Sequence, residues 1–185
     1  MKATKILRND QELIDRFLAL FGLGAVNAAQ NKPVQPGFFI YGCSFIKEFI
    51  EGNYFKKEQV LLKTLEENGL APDSGPLQHM LEDIANSNEM SDELMAAARQ
   101  WQAGDADGRN SIIWATSSYT SMLRQHIDRS RSIIFPLAEQ LIPPEEQYKI
   151  AEAYNHIVFE EGENHPMEHY EKIVAALKDE SDDWK

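Results

Sequence analysis

Apolar residues recur at the spacing of one helical face in four long segments of this 185-residue chain. In the first segment Leu7, Gln11, Ile14 and Leu18 follow one another at four, three and four residues. Together with turn signals between the segments, this periodicity predicts helices over about 4–27, 37–68, 77–102 and 109–141, and shorter helices over about 145–161 and 167–178. We therefore expect an all-α protein.

The length suits a single domain covering residues 1–185. Its core bundle should occupy about residues 4–142, and the C-terminal helices about 144–178. Local composition predicts a bend or break in the third helix around 86–92 and a kink in the fourth at Pro136, because proline lacks a backbone N–H. The acidic tail, 179–185, is expected to be solvated and frayed.

Composition excludes several classes of protein. A net charge of −12 and a pI near 4.8 argue against nucleic acid and anionic membrane surfaces as partners. The sole cysteine, Cys43, excludes an intrachain disulfide, and we expect it to be a small core residue. Since no uncharged apolar stretch is long enough to span a bilayer, we expect a cytoplasmic protein.

Each of the four apolar stripes carries an out-of-place residue near its middle, and in three stripes that residue is polar. Buried polar groups cost free energy, so several that converge from different helices usually mark a binding site inside a bundle. The out-of-place residues and their helical neighbours are Gln11, Tyr54 with Glu58, Ile84, and His126 with Ser130. We interpret these six as lining a ligand pocket.

Two pairs among these six residues have a spacing that lets both members reach the same ligand. Tyr54 and Glu58 are one helical turn apart, as are His126 and Ser130, so each pair points the same way from its helix. A carboxylate, an imidazole and a phenolate are all metal ligands. Glu58, His126 and Tyr54 could therefore hold a single iron or zinc ion.

Four stretches carry a recognisable pattern: LRNDQELI (7–14), FIKEFIEGNYFKKEQVLLKTLEENGLAPDSGPLQHML (45–81), LRQHI (123–127) and FPLAE (135–139). In their order and spacing they resemble the hemerythrin-like proteins that contain the HHE cation-binding domain. The resemblance covers nearly the whole chain. The resemblance implies an up-down four-helix bundle, here with additional C-terminal helices.

The resemblance also implies where metal ligands would stand. In the family, histidines on four helices and two carboxylates hold a bridged pair of iron ions. Here Gln11, Tyr54 and Ile84 occupy three histidine positions and Ser130 a carboxylate position, whereas Glu58 and His126 are retained. A conventional diiron site needs more ligands than these, so we do not expect one.

We consider two alternative states of the pocket at these former metal positions. In the favoured one there is no metal, and Glu58 and His126 form a buried, charged, hydrogen-bonded pair whose remaining groups are satisfied by Gln11, Tyr54 and Ser130. In the other, a single ion binds Glu58, His126 and Tyr54.

Two functions follow as well. The first is a binding or sensory protein that holds at most one metal ion or a small ligand of unknown identity. The second is a structural scaffold that forms a homodimer or docks another protein through a contiguous apolar surface. The aromatic residues at the start of the second helix are expected either to pack in the core or to form such a contact; they are Phe38, Phe39, Tyr41, Phe45 and Phe49. An enzyme is the least favoured interpretation, because no nucleophile, base and orienting group assemble from local motifs.

The remaining histidines are weaker candidates. His165 and His169 are one turn apart but flank Pro166 in an acidic segment, which favours the start of a surface helix over a metal site. His79 and His156 are expected at or near the surface.

Overall fold

The computed structural model describes residues 1–162 and 166–184, and over these residues it is helical without β-strands. The helices are α1 (Lys2–Ala29), α2 (Pro36–Phe45), α3 (Phe55–Glu67), α4 (Gly75–Gln102), α5 (Ala106–Arg129), α6 (Phe135–Leu141), α7 (Pro144–Gly162) and α8 (Met167–Asp182). Two π-helical segments, π1 (Ile46–Tyr54) and π2 (Ser130–Ile134), join α2 to α3 and α5 to α6. The predicted all-α class is confirmed. Over the described ranges, no helix combines the length and apolarity that a bilayer crossing requires.

Four long helical segments surround the core, and the two C-terminal helices cover part of it. Helix α5 packs against both α4 and α1, and α2 packs against α4. Helix α7 lies against α3 and α1, whereas α8 lies against α1 and α2. Side chains from α1, from the α2–π1–α3 segment, from α4 and from the α5–π2–α6 segment can therefore meet inside the molecule.

The two π-helical segments interrupt helices that the periodicity predicted as continuous. A π-helix adds a residue to the turn, so it rotates the side chains that follow relative to an α-helix. The distortion expected at Pro136 takes this form, since π2 ends immediately before α6, in which Pro136 lies in the first turn. Tyr54 is the last residue of π1 and Ser130 the first of π2, so both π segments adjoin the proposed pocket.

Helix α4 runs unbroken from Gly75 to Gln102, so the expected break around 86–92 is wrong. The polar residues that suggested a break are bonded within the core. Ser87 and Ser91 donate hydrogen bonds of 2.9 and 2.7 Å to Oε1 of Glu51 in π1. A buried acceptor on the neighbouring segment thus keeps these serines in the helix.

The C-terminal tail is also more ordered than predicted. Helix α8 extends to Asp182, and Trp184 is only 6% exposed, with its ring 4.8 Å from that of Phe38. Burying an indole stabilises a chain end that composition alone suggests is solvated. The prediction of a frayed tail is wrong for residues 179–184.

The aromatic start of the second helical segment forms core rather than surface. Phe38, Phe39, Phe45 and Phe49 are fully buried, and only Tyr41 is exposed. Of the two roles expected for these residues, the four phenylalanines therefore take the core one and are not available as a docking surface. Cys43 lies in the same core, as expected, and burial raises the pKa of its thiol to about 12.

Candidate functional site

A buried hydrogen-bond network is centred on the carboxylate of Glu58, which is inaccessible to solvent. Its Oε1 accepts from the hydroxyls of Tyr54 at 2.9 Å and Ser130 at 2.7 Å. Its Oε2 lies 2.5 Å from Nε2 of His126. Gln11 donates from Nε2 to the Tyr54 hydroxyl at 2.8 Å. Side chains from π1, α5 and π2 thus contact one carboxylate, and α1 joins the network through Tyr54.

On the α1 side of the network, the direction of each hydrogen bond follows from Arg131. Arg131 can only donate, and its Nε lies 2.9 Å from Oε1 of Gln11 while its NH2 group contacts Asp15 at 2.6 Å. Gln11 therefore presents its amide N–H to Tyr54, and Tyr54 directs its own proton to Glu58. The chain of donors runs inward from the surface and ends on Glu58.

On the α4 side, both ring nitrogens of His126 face carboxylates. Nε2 faces Glu58, and Nδ1 lies 3.1 Å from Oδ2 of Asp83, which also accepts from Arg129 at 2.9 Å. Two carboxylate partners require two N–H donors, so His126 is an imidazolium. Burial lowers the pKa of His126, but the charge of Glu58 and the hydrogen bonds to Asp83 and Glu58 outweigh it and raise the pKa to about 9.

The charged His126–Glu58 pair shifts the pKa values of its neighbours Asp83 and Tyr54. For Asp83, burial raises the pKa, but the hydrogen bonds and charges of His126 and Arg129 outweigh burial and lower the pKa below its ordinary value. For Tyr54, burial and then the negative charge of Glu58 raise the pKa well above its usual value. Tyr54 is therefore a neutral phenol that donates to Glu58.

A second buried ion pair adjoins the network. Nζ of Lys57 lies 2.5 Å from Oδ2 of Asp10, and both side chains are almost fully buried. Lys57 directly precedes Glu58 on α3, and Asp10 directly precedes Gln11 on α1, so this ion pair links two of the helices that contribute to the network. Burial raises the pKa of Asp10, and the attraction of Lys57 only partly opposes that shift.

The structure brings five of the six predicted pocket residues into one network. Gln11, Tyr54, Glu58, His126 and Ser130 are joined by the hydrogen bonds given above, in the pattern that the metal-free interpretation anticipated. Ile84, which is 8% exposed, has no polar group to contribute.

Sequence reasoning missed several members of the network. The residue of α4 that joins the network is Asp83, next to Ile84. Nothing in its sequence context distinguishes it from surface carboxylates. Arg131 was missed because π2 alters the direction of side chains after Ser130, which helical periodicity does not anticipate. The Asp10–Lys57 pair was missed because two charged residues on amphipathic helices are ordinarily read as surface.

The residues present do not fit a pair of iron ions, nor a single ion in their present protonation. A metal ligand must offer a lone pair, whereas His126 uses both ring nitrogens as donors and Tyr54 keeps its proton. Across residues 1–162 and 166–184, no group of three or more His, Cys, Asp or Glu side chains is arranged to hold a metal ion.

The other histidines that the structure describes lie away from this network. Nε2 of His169 is 3.0 Å from Oε2 of Glu48, His79 is largely exposed, and His156 is exposed. His165, the other member of the weaker candidate pair, lies outside the described residues.

Comparisons with known proteins do not assign a family. No protein-family model, no curated protein and no solved structure matches this chain. The hemerythrin-like arrangement accordingly stays a prediction from the residues quoted above.

The raised pKa of His126 makes stability depend on pH above neutrality. Because the folded-state pKa, about 9, exceeds the unfolded value of 6.5, this contribution is fully present below pH 6.5 and is lost as pH rises through 9. We expect a loss on the order of 3 kcal/mol in the free energy of unfolding across that window. Urea unfolding at a series of pH values measures it. The His126→Gln variant should show a much flatter profile, and equal slopes for the two proteins would contradict the assignment.

Proposed function

We propose that this protein is a hemerythrin-like bundle in which a buried imidazolium–carboxylate pair takes the place of metal, and that it acts as a metal-independent interaction scaffold. The observation that carries the proposal is the double engagement of His126, whose two ring nitrogens donate to Glu58 and Asp83. A fully bonded charge pair can connect the helices in the way that a metal would, so the core does not need an ion.

The alternative, a binding or sensory pocket, has less support. A single ion on Glu58, His126 and Tyr54 would require His126 to release a proton at a pH well below its pKa of about 9. It would also break the hydrogen bonds that Tyr54 and Ser130 donate to Glu58. A polar small molecule would face the same competition from groups that already satisfy one another.

Metal analysis tests this proposal. Protein purified without an affinity tag from iron- and zinc-replete cells should contain far less than one metal ion per chain, and adding either metal should leave its thermal midpoint unchanged. Stoichiometric metal in the wild-type protein, removed by Glu58→Ala or His126→Ala, would contradict the proposal.

Restoring the ligands tests the hemerythrin-like resemblance separately. The combined variant Gln11→His, Tyr54→His, Ile84→His and Ser130→Glu should acquire about two iron ions per chain. Adding His126→Ala to that variant is the matched control and should remove most of the iron. A variant that is folded by circular dichroism but binds no iron would contradict the resemblance.

A further inference from the structure

Two neighbouring helices share a long stretch without charged residues, although charged residues make up 26% of the chain. On α1 no charge occurs between Arg16 and Lys32, and on α5 none occurs between Arg109 and Arg124. These helices pack against each other. Six of the exposed residues in these stretches make up what we term the uncharged face: Ala19, Leu23, Val26, Trp114, Ser117 and Ser121.

Large apolar side chains project from the uncharged face. Leu23 is 43% exposed, Val26 52% and Trp114 76%. A single exposed apolar residue needs no explanation, but three on one face without charges are typical of a protein–protein contact. Tryptophan is also the residue type most enriched among those that dominate binding energy.

A cleft lies directly beside Trp114. It has a volume of 430 Å³, runs between α4 and α5, and is lined by small or flexible side chains that include Met90, Ala96, Ala97 and Ala115. Because a cavity of roughly 150 Å³ accommodates benzene, this cleft has room for an indole ring. Trp114 itself forms part of the wall of this open cleft, so the molecule presents an exposed tryptophan beside a concave surface with room for a second indole ring.

In a two-fold symmetric contact both copies use the same surface. A protruding side chain and the recess that receives it must therefore both lie on that surface. At a net charge of −12, two copies repel over most of their surface, and that repulsion is weakest where charges are absent. Charged residues do border the face and are of both signs: Glu93 lines the α4–α5 cleft, whereas Arg109, Arg124 and Asp128 line the neighbouring clefts. A second copy is therefore electrostatically compatible with this surface.

We propose that two copies of this chain pair through the uncharged face, with Trp114 of each copy entering the α4–α5 cleft of the other. This inference rests on the proposed scaffold function and identifies its partner. It is independent of the metal measurement, so a metal-free protein that stays monomeric would refute the pairing alone.

Sedimentation equilibrium over a wide concentration range tests the pairing. The wild-type chain should approach twice its monomer mass of 21.1 kDa. Trp114→Glu places a charge in the contact and should weaken association at least about thirtyfold, as for other dominant interface residues. Since Trp114 is mostly exposed, the variant should keep the wild-type circular dichroism spectrum and thermal midpoint.

Tyr148→Glu is the matched control, because Tyr148 is an aromatic residue on α7 that is 81% exposed, away from the uncharged face. It should leave association unchanged. Ala97→Phe, which fills the cleft from its α4 wall, should weaken association as Trp114→Glu does. A wild-type chain that stays monomeric at every concentration, or equal weakening by the substitutions at Trp114 and Tyr148, would overturn the proposal.

Discussion

Glu58→Ala is expected to lower the free energy of unfolding by about 3–5 kcal/mol, the usual cost of removing one partner of a buried ion pair. The substitution leaves the His126 imidazolium without its main counter-charge. It also leaves the hydroxyls of Tyr54 and Ser130 without the acceptor that they share. Since whole domains are stable by only about 5–15 kcal/mol, such a loss would bring this protein near global unfolding. Urea unfolding at neutral pH measures the effect.

Two further variants separate charge from packing. Replacing both partners, as in Glu58→Leu with His126→Phe, removes the unpaired charge and should be less destabilising than Glu58→Ala alone. Glu89→Ala, on the exposed surface of α4, should change stability by no more than about 0.5 kcal/mol. A Glu58→Ala variant that loses less than about 1 kcal/mol would contradict the central role of this carboxylate.

Lys57→Met is expected to have a similarly large effect, about 3–5 kcal/mol, because it leaves the carboxylate of Asp10 buried and unpaired. Even with Lys57 in place, burial raises the pKa of Asp10, so desolvation already outweighs the attraction of the ammonium group. Guanidinium unfolding with and without the substitution measures the difference.

Lys63→Met is the matched control for this second prediction, since Lys63 lies on the same helix, α3, with its side chain 78% exposed. It should be close to neutral. The double variant Asp10→Leu with Lys57→Met should recover most of the lost stability, because an apolar pair of similar volume avoids desolvation of both charges. Equal effects of Lys57→Met and Lys63→Met would show that the buried pair has no special energetic role.

Helical periodicity was sufficient to predict the all-α class and to place the helices to within a few residues, because a buried stripe repeats over many turns. It could not predict π1 and π2, whose wider turns change the register of the side chains that follow them. It also could not predict the unbroken α4 or the docked Trp184, since both depend on partners distant in sequence, Glu51 and Phe38.

The site was predicted where the sequence shows a polar residue within an apolar stripe. Gln11, Tyr54 and His126 were found in this way, and Glu58 and Ser130 followed from helical spacing. Asp83 and Arg131 could not be found, because charged residues beside a stripe look the same whether they point outward or reach into the core. The exposure of Trp114 also could not be predicted from the sequence, because Trp114 directly follows two apolar residues, Ile112 and Ile113, that are buried or half-buried.

The protonation state of His126 tests the central claim most directly. Ring-nitrogen NMR of ¹⁵N-labelled protein from iron-replete cells should show two protonated nitrogens at neutral pH and a titration with a pKa near 9. Substituting Asp83→Asn should lower that pKa, because it removes the negative charge at Nδ1. A neutral ring at neutral pH, or signals broadened by bound iron, would contradict the replacement of metal by an imidazolium–carboxylate pair.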